Sequence, residues 1–275
     1  MNLLFAIDDN FVQQLETVLL SIHLNTKSQE FNIYVLQKNR LTKEAELAAF
    51  CKHLKMAYHP VMVKQSLFEN APVTDRYPTT IYYRLLAHQM LPQDLHKILY
   101  LDGDIVCIND LSPLYSTALG NNLFASAIHA SLTNTTDVIN KIRLQNFGAD
   151  GYYNSGVLLM NLDLMRQEVD ADQIFDYIRR HILLLPDQDV LNALYSERIK
   201  TIPDQLYNFD TRNGKIYETI SLGEWDLDWV IKNTVILHYC GREKPWLPTK
   251  NSGRLTALYK QYFHMTAKLQ SSLQN

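Results

Sequence analysis

The chain has 275 residues, of which 47% are hydrophobic, enough for a sizeable core in one large α/β domain or two small ones. Its formal net charge of −3 provides no basic surface of the kind that binds nucleic acid. Because the N-terminal MNLLFAIDDN lacks signal-peptide features and no apolar run approaches the roughly 20 residues of a membrane span, we expect a cytoplasmic protein, in at most peripheral contact with the inner face of the membrane.

The first half of the chain alternates between short apolar runs and amphipathic patterns. Residues 3–7 predict a buried strand, and the apolar spacing over residues 11–22 predicts the helix that follows it. Further elements are predicted in chain order: a strand at 31–36, a helix at 42–54, a strand at 57–63, a helix at 80–90 and a strand at 98–101. This alternation favours an α/β fold with a single, Rossmann-like, mainly parallel sheet flanked by helices.

The second half is less regular. Strands are predicted at 123–128, 157–160 and 235–239, and helices at 171–182 and 189–195. From about residue 252 the apolar residues lie on one face of a helix. We therefore predict one domain, residues 1–250, followed by a helical tail, residues 251–275, that packs on the domain or on a partner. The absence of G-x-G-x-x-G and of a P-loop argues against a dehydrogenase or a Walker-type ATPase.

The stretch KILYLDGDIVCI, residues 97–108, has two interpretations. Asp-Gly between apolar runs is typical of a β-hairpin, but residues 98–101 do not alternate as a hairpin arm would. In extended chain, Asp102 and Asp104 point to the same side and can hold one cation beside a nucleotide phosphate. His238 also follows an apolar strand, as a core histidine or as a third ligand that favours manganese over magnesium.

Another enzyme class fits the same short stretch. The residues DGDIV, 102–106, resemble the D-x-D-x-[T/V] nucleophile motif of haloacid-dehalogenase phosphatases. That motif usually follows the first strand, whereas about a hundred residues precede it here, and the later lysine and aspartate pair of those enzymes are not evident.

Six segments in order resemble glycosyltransferase family 8, which includes bacterial lipopolysaccharide galactosyl- and glucosyltransferases and glycogenin. The likeness is closest to the bacterial members that act on cell-surface glycans. The matching segments are FAIDDN (5–10), YYRLLAHQML (82–91), KILYLDGDIV (97–106), YYNSGVLLMNL (152–162), PDQDVLN (186–192) and HYCGREKPW (238–246).

The resemblance implies a GT-A fold, a UDP-sugar donor, Mn²⁺ (with Mg²⁺ as the second choice) and transfer with retention of anomeric configuration. The acceptor would be a hydroxyl of a glycan, glycolipid or glycoprotein, bound near residues 130–150. The implied metal ligands are Asp102, Asp104 and His238. The implied nucleotide-binding residues are Ala6, Ile7, Asp8, Asn10, Asp102, Gly103, Asp104, Gly241 and Lys244, and those around the donor sugar are Arg84, Asn154, Asp187 and Gln188.

For catalysis we favour front-face attack by the acceptor hydroxyl, with Gln188 stabilising the positive charge that develops on the sugar. Asp187 would accept sugar hydroxyls, and Arg84 would face the charge on the leaving diphosphate. Asp189 is the nearest carboxylate that could form a covalent intermediate, and it stays a second candidate. A non-enzymatic alternative is a sugar-nucleotide-binding module that needs a partner for turnover.

Each site residue also has a structural interpretation. Asp8 or Asn10 can cap the first helix, and Asp187 can cap a later one. Asn154 can shape a turn before Ser155-Gly156. Arg84 can pair with an acidic surface residue and Lys244 can be solvated.

Overall fold

The computed structural model describes residues 1–28, 30–68, 82–128, 151–248 and 253–273, and it is built on two β-sheets. The strands are β1 (Asn2–Ala6), β2 (Phe31–Gln37), β3 (Met56–Met62), β4 (Lys97–Leu101), β5 (Ile105–Cys107), β6 (Phe124–Ala127), β7 (Val157–Asn161), β8 (Ile199–Ile202), β9 (Phe209–Asp210) and β10 (Ile236–His238). The helices are α1 (Val12–Asn25), α2 (Glu44–His53), α3 (Ser112–Tyr115), α4 (Leu162–Glu168), α5 (Ala171–Arg180), α6 (Pro186–Tyr195), α7 (Asp204–Tyr207), α8 (Gly214–Ile220), α9 (Leu227–Asn233) and α10 (Arg254–Leu273).

The large sheet has the order β3-β2-β1-β4-β7-β6-β8. The first four of these strands are parallel neighbours, β6 and β8 are also parallel, and only β7 runs antiparallel to both of its neighbours. Leu3 and Phe5 belong to the core cluster on the α1 and α2 side, whereas Leu4 belongs to the cluster on the opposite face. Burial on both faces explains why the central strands are apolar throughout, and the predicted α/β fold class is confirmed.

A second sheet, β5-β10-β9, was not predicted. The strand predicted at 235–239 contains β10, whereas β5 and β9, of three and two residues, are too short for a period of two to be visible in the sequence. They pack through Val106, Phe209 and Leu237 into a third core cluster, which also contains the fully buried Tyr259 of α10. The small sheet therefore has its own hydrophobic core, next to the carboxyl ends of β1 and β4.

The predicted helix at 80–90 is wrong for the residues that the structure describes. Residues 82–90 form turns and a short 3-10 segment, Ala87–Gln89, with hydrogen bonds from residue i+3 to residue i; residues 80 and 81 lie outside the described ranges. Residues 82–88 are all buried, so this segment has no solvent face, whereas an amphipathic helix exposes one. Tertiary packing on all sides therefore sets the conformation of this segment, although the spacing of its apolar residues is typical of a helix.

The C-terminal helix α10 packs against α1. Asn25 donates a hydrogen bond from its Nδ2 to the hydroxyl oxygen of Tyr262 over 2.8 Å, and Gln270 donates to the Glu16 carboxylate. The division into a domain, 1–250, and a tail, 251–275, stays a prediction. Within the part of the chain that the structure describes, no helix is long and apolar enough to cross a membrane.

Glu16 places a carboxyl group inside the contact between α1 and α10, where only 1% of its surface is exposed. Burial, reinforced by the nearby Glu46 carboxylate, raises the pKa of Glu16 from 4.5 to about 7. Because the folded-state pKa lies above the unfolded value, the unfolded chain ionises first as the pH rises. The free energy of unfolding therefore falls between about pH 4.5 and pH 7, and the penalty is complete above that range.

We predict that Glu16→Gln, which removes this charge, stabilises the protein at pH 8 by roughly 2 kcal/mol and has little effect at pH 5. Urea unfolding at the two pH values measures the difference. The exposed Glu218 is the control, since Glu218→Gln should change stability little at either pH. Equal effects of Glu16→Gln at pH 5 and pH 8 would contradict the prediction.

Candidate active site

The segment Asp102-Gly103-Asp104 carries the chain from one sheet to the other. β4 ends at Leu101 in the large sheet and β5 begins at Ile105 in the small one. β5 pairs with β10 and not with β4, so the hairpin alternative is excluded. The backbone N–H of Asp102 donates to the carbonyl of Gly156 over 2.8 Å, which fixes the start of the crossing. Both carboxylates therefore stand at the junction of the sheets.

The register of the small sheet brings His238 to this junction. His238 is the cross-strand partner of Ile105, and the N–H of Tyr239 donates to the carbonyl of Asp104 over 2.9 Å. The Nε2 atom of His238 lies 3.1 Å from Oδ1 of Asp104 and 3.9 Å from Oδ2 of Asp102. One nitrogen and two carboxylate oxygens thus lie within 4.8 Å of one another, and their role as metal ligands stays a prediction.

Contacts with neighbouring side chains set the orientation of His238 and the pKa of Asp104. The Nδ1–H of His238 donates to Oδ1 of Asn208 over 2.7 Å, which fixes the ring with Nε2 toward the carboxylates. Burial by itself would raise the pKa of Asp104, but His238 and Lys244 outweigh it and hold that pKa well below its usual range. Two carboxylates with one imidazole are a donor set that fits Mn²⁺.

Gly156 leaves the space that the cluster occupies. A Cβ atom on this residue would lie 2.5 Å from Cε1 of His238 and 2.6 Å from Oδ2 of Asp102. Its N–H donates to Oδ1 of Asn154 over 2.7 Å, so the backbone is held in place. Neither Gly156 nor Asn208 was predicted to belong to the site. The only signal for Gly156 was its position in the NSG stretch at the start of a strand.

Arg84 connects the Asp102 carboxylate to helix α6. Its buried guanidinium places Nη1 3.0 Å from Oδ1 of Asp102 and 3.3 Å from Oδ2 of Asp187, and it lies over the Tyr100 ring at 4.5 Å. The Tyr100 hydroxyl donates to the same Asp102 oxygen over 2.7 Å. The ionic partners of Arg84 are therefore site carboxylates and not the surface partner of the structural interpretation.

The donor-sugar residues predicted from the family resemblance lie together on the other side of Arg84. Oγ of Ser155 donates to Oδ2 of Asp187 over 2.8 Å, and Nδ2 of Asn154 donates to Oε1 of Gln188 over 3.3 Å. Nε2 of Gln188 is buried and makes no hydrogen bond to any described residue. A buried donor without a partner is unfavourable, so this amide is available to a ligand atom.

Asp189 differs from its neighbours. Its carboxylate is fully buried, accepts a hydrogen bond from the Tyr152 hydroxyl, and accepts the backbone N–H groups of Leu184 at 2.7 Å and Leu185 at 3.1 Å. A nucleophile needs an accessible oxygen with a lone pair directed at the substrate. The geometry therefore argues against the covalent role considered for Asp189 and gives it a structural one.

The residues proposed around the nucleoside follow β1. Ala6 ends the strand, and the N–H of the buried Ile7 donates to the carbonyl of Leu36 over 3.2 Å. Oδ1 of Asp8 accepts the N–H of Asn10 over 2.9 Å, so Asp8 caps the 3-10 turn Asp9–Phe11 that precedes α1 and not α1 itself, whose N-cap is Phe11. Asn10 itself is exposed. Their contacts with a nucleoside stay predictions.

Two glycines shape the loops on either side of the cluster. A Cβ on Gly103 would lie 3.2 Å from Cδ1 of Phe11, so the loops after β1 and β4 touch at this point. Gly241 has a φ of +88°, and a Cβ there would lie 2.8 Å from Nη1 of Arg212. Lys244 is not merely solvated, since its ammonium pairs with Asp104 and donates to the Tyr239 carbonyl over 2.9 Å.

Comparison with known proteins identifies the class and then the family. The chain matches the model of Glycosyl transferase family 8 over residues 2–250. It is therefore one of the glycosyltransferases and belongs to family 8, as the sequence predicted. The predicted acceptor region, 130–150, lies outside the described residues.

Relatives agree with this assignment, and one solved structure has a similar fold. The chain is 27% identical over 254 residues to a lipopolysaccharide 1,2-glucosyltransferase of Escherichia coli, covering 89% of this chain and 73% of that protein. It is 23% identical over 283 residues to general stress protein A of Bacillus subtilis, covering 96% and 92%. Its fold is similar to galactosyltransferase LgtC, solved with donor and acceptor sugar analogs, with a TM-score of 0.76, 24% identity and 96% of each chain covered.

The position of Gly156 predicts that a single methyl group damages the cluster. Gly156→Ala should weaken Mn²⁺ binding on the order of tenfold or more, because the Cβ displaces His238 or Asp102 and ligand geometry is strict. Titration of Mn²⁺ by electron paramagnetic resonance measures the affinity. Gly214→Ala is the matched control, since a Cβ at Gly214 meets no atom within 4 Å. Unchanged Mn²⁺ affinity in Gly156→Ala would refute the prediction.

The hydrogen bond between His238 and Asn208 leads to a second prediction for Mn²⁺ affinity. Asn208→Ala should lower Mn²⁺ affinity roughly 10- to 100-fold, because the His238 ring loses the acceptor that fixes its tautomer and orientation. Asn208→Asp keeps an acceptor at that position and should retain most of the affinity. The same titration compares the two variants, and equal losses would show that the hydrogen bond to His238 is not the cause.

Proposed function

We propose that the chain is a metal-dependent, retaining hexosyltransferase that moves glucose or galactose from a UDP-sugar to a hydroxyl of a cell-surface glycan, glycolipid or glycoprotein. The observation that carries the proposal is the cluster of Asp102, Asp104 and His238 between the two sheets, with Arg84 and Lys244 in contact with it. Relatives named as lipopolysaccharide glucosyl- and galactosyltransferases support the same class of donor and acceptor.

The donor atoms of the cluster fit a hard or borderline divalent cation. Asp102 and Asp104 would each supply one oxygen and His238 its Nε2, with Mn²⁺ as the favoured ion and Mg²⁺ as the alternative. Three protein ligands leave coordination positions for phosphate oxygens and water. A bound cation would supply Lewis-acid stabilisation of the negative charge on the diphosphate.

Two cationic side chains add positive charge where the diphosphate would leave. Arg84 is buried and held by carboxylates on both sides, and Lys244 is held by Asp104. Because both groups are oriented before any ligand binds, they require little reorganisation as charge develops on the leaving group. The left-handed backbone at Gly241, without a Cβ, lets a phosphate approach the main chain.

Retention is proposed to proceed on the front face of the sugar. Gln188 is a neutral amide and a poor nucleophile, and the Asp189 carboxylate is fully buried. The Asp187 carboxylate is engaged by Arg84 and Ser155 and would accept a sugar hydroxyl. The acceptor hydroxyl would then attack from the side of the leaving diphosphate, while the Gln188 amide dipole stabilises the positive charge on the sugar.

The test is release of UDP from a panel of UDP-hexoses without acceptor, with Mn²⁺ and then with a chelator. We predict chelator-sensitive release from one hexose, and a loss of at least roughly 100-fold in Asp102→Asn and in His238→Ala. Asp228→Asn, at an exposed aspartate of α9, is the control and should keep full activity.

The other outcomes separate the parts of the proposal. Release that survives the chelator, or full activity of either variant, would overturn the metal assignment. UDP binding without release or transfer to any glycan would indicate a binding module that needs a partner. A wild-type protein that binds no UDP would contradict the proposal that the donor is a UDP-sugar.

A further inference from the structure

We propose that Tyr259, on the C-terminal helix α10, is a positioning residue for the donor loops; the inference rests on the proposed function. The helix follows the part of the chain that matches the family model, which ends at residue 250. The donor-site assignments above include no residue of α10. Yet the fully buried Tyr259 side chain of this helix packs against the loop that bears Gly241 and Lys244.

Aromatic rings join α10 to that loop. The Tyr259 side chain is fully buried, and its ring centroid lies 5.4 Å from that of Trp246 and 5.2 Å from that of Tyr239. The Tyr239 hydroxyl also donates to the carbonyl of Leu255, in the first turn of α10, over 2.7 Å. Aromatic rings in contact stabilise a structure by more than their buried area alone, and they prefer particular relative orientations. The residues on both sides of Lys244 are thus anchored to one helix.

The same stack reaches the other two donor loops. The Trp246 ring meets the Phe11 ring edge-to-face, with centroids 5.9 Å apart. Phe11 in turn lies 3.2 Å from the point where a Cβ of Gly103 would stand. Phe11, Trp246 and Tyr259 therefore form a continuous aromatic pillar. It connects α10 to the loop after β1, the aspartate pair after β4 and the loop after β10.

The pillar bears on Lys244 itself. The ammonium of Lys244 lies 5.9 Å from the Trp246 ring centroid, and the N–H of Leu247 donates to the Lys244 carbonyl over 3.0 Å. Removing the support beneath Trp246 frees this turn to shift. A shift of about 1 Å in a positioning element is enough to cost on the order of 100-fold in rate or binding. The Tyr259 ring therefore determines where the Lys244 charge stands relative to the diphosphate.

The support is firm because α10 is fixed independently of the pillar. Nδ2 of Asn25, at the end of α1, donates to the Tyr262 hydroxyl over 2.8 Å and to the carbonyl of Cys107 over 3.0 Å. Tyr262 thus anchors α10 to α1 and β5, while Tyr259 faces the donor loops. Substitutions at Tyr262 and Tyr259 can therefore distinguish docking of the helix from positioning of the loop.

The experiment compares Tyr259→Leu with Tyr259→Phe, which keeps the ring, and with Tyr262→Leu, which removes a ring from the same helix outside the pillar. The first measurement is amide hydrogen exchange of the peptide spanning residues 238–247. The second is the KM for the active UDP-hexose, with kcat and the melting temperature alongside. Tyr239→Phe, which deletes only the hydroxyl bonded to Leu255, tests the same loop where Tyr259→Leu does not fold.

We expect Tyr259→Leu to speed exchange at the Tyr239 and Leu247 amides and to raise the donor KM on the order of tenfold, with a smaller change in kcat. Tyr259→Phe should behave as wild type, and Tyr262→Leu should lower the melting temperature without moving the donor KM. Tyr239→Phe should speed exchange of the same peptide. A lower melting temperature in Tyr259→Leu with unchanged loop exchange, or equal effects of Tyr262→Leu, overturns the inference. Hydrogen exchange decides the question even where the protein binds no UDP, which would instead refute the proposed function.

Discussion

The antiparallel pairing of β5 with β10 is the constraint on which the site depends. It sets His238 opposite Ile105, and so next to Asp104, across 134 residues of chain. A one-residue slip in this pairing would turn the imidazole to the other face of the sheet and leave two aspartates without their third partner. Strands of three residues hold their register weakly by themselves. The Tyr239 N–H to the Asp104 carbonyl and the Asn208 hydrogen bond to His238 supply the additional restraints.

Charge balance is the second condition. Asp102, Asp104 and Asp187 are three carboxylates in one partly buried region, an arrangement that is unfavourable unless each is paired. Arg84 bridges Asp102 and Asp187, and Lys244 with His238 neutralises Asp104. The cations that hold the site together without a ligand are therefore the ones proposed to face a diphosphate. A phosphate that took over an interaction with Arg84 or Lys244 would leave a carboxylate without that partner, and the cation proposed at the Asp102, Asp104 and His238 cluster would compensate the added negative charge.

The sequence predicted six of the seven strands of the large sheet, all but β8, together with helices α1, α2, α5 and α6 and the three candidate metal ligands, because each of these has a local signal. Apolar runs mark strands that are buried on both faces, and polar residues at their carboxyl ends mark a site. Asn208 had no such signal and Gly156 had only its position in the NSG stretch, because Asn208 acts through the His238 ring and Gly156 through the absence of a Cβ atom. The predicted helix at 80–90 failed for a related reason. Its apolar spacing is helical, but burial on every side is a property of the tertiary structure.

The segment PDQDVLN, residues 186–192, shows how one motif can combine two tasks. Asp187 and Gln188 face Arg84 and Asn154, whereas Asp189 binds the backbone of the preceding loop. Asn192 accepts the Tyr153 N–H over 2.7 Å and donates to the Tyr153 carbonyl over 2.8 Å. It thereby ties α6 to the segment that carries Asn154 and Gly156. Resemblance to a family identifies the whole segment and cannot separate these tasks. The two tasks differ because consecutive side chains leave α6 in different directions. Those on one side face the candidate site, and those on another side contact neighbouring backbone.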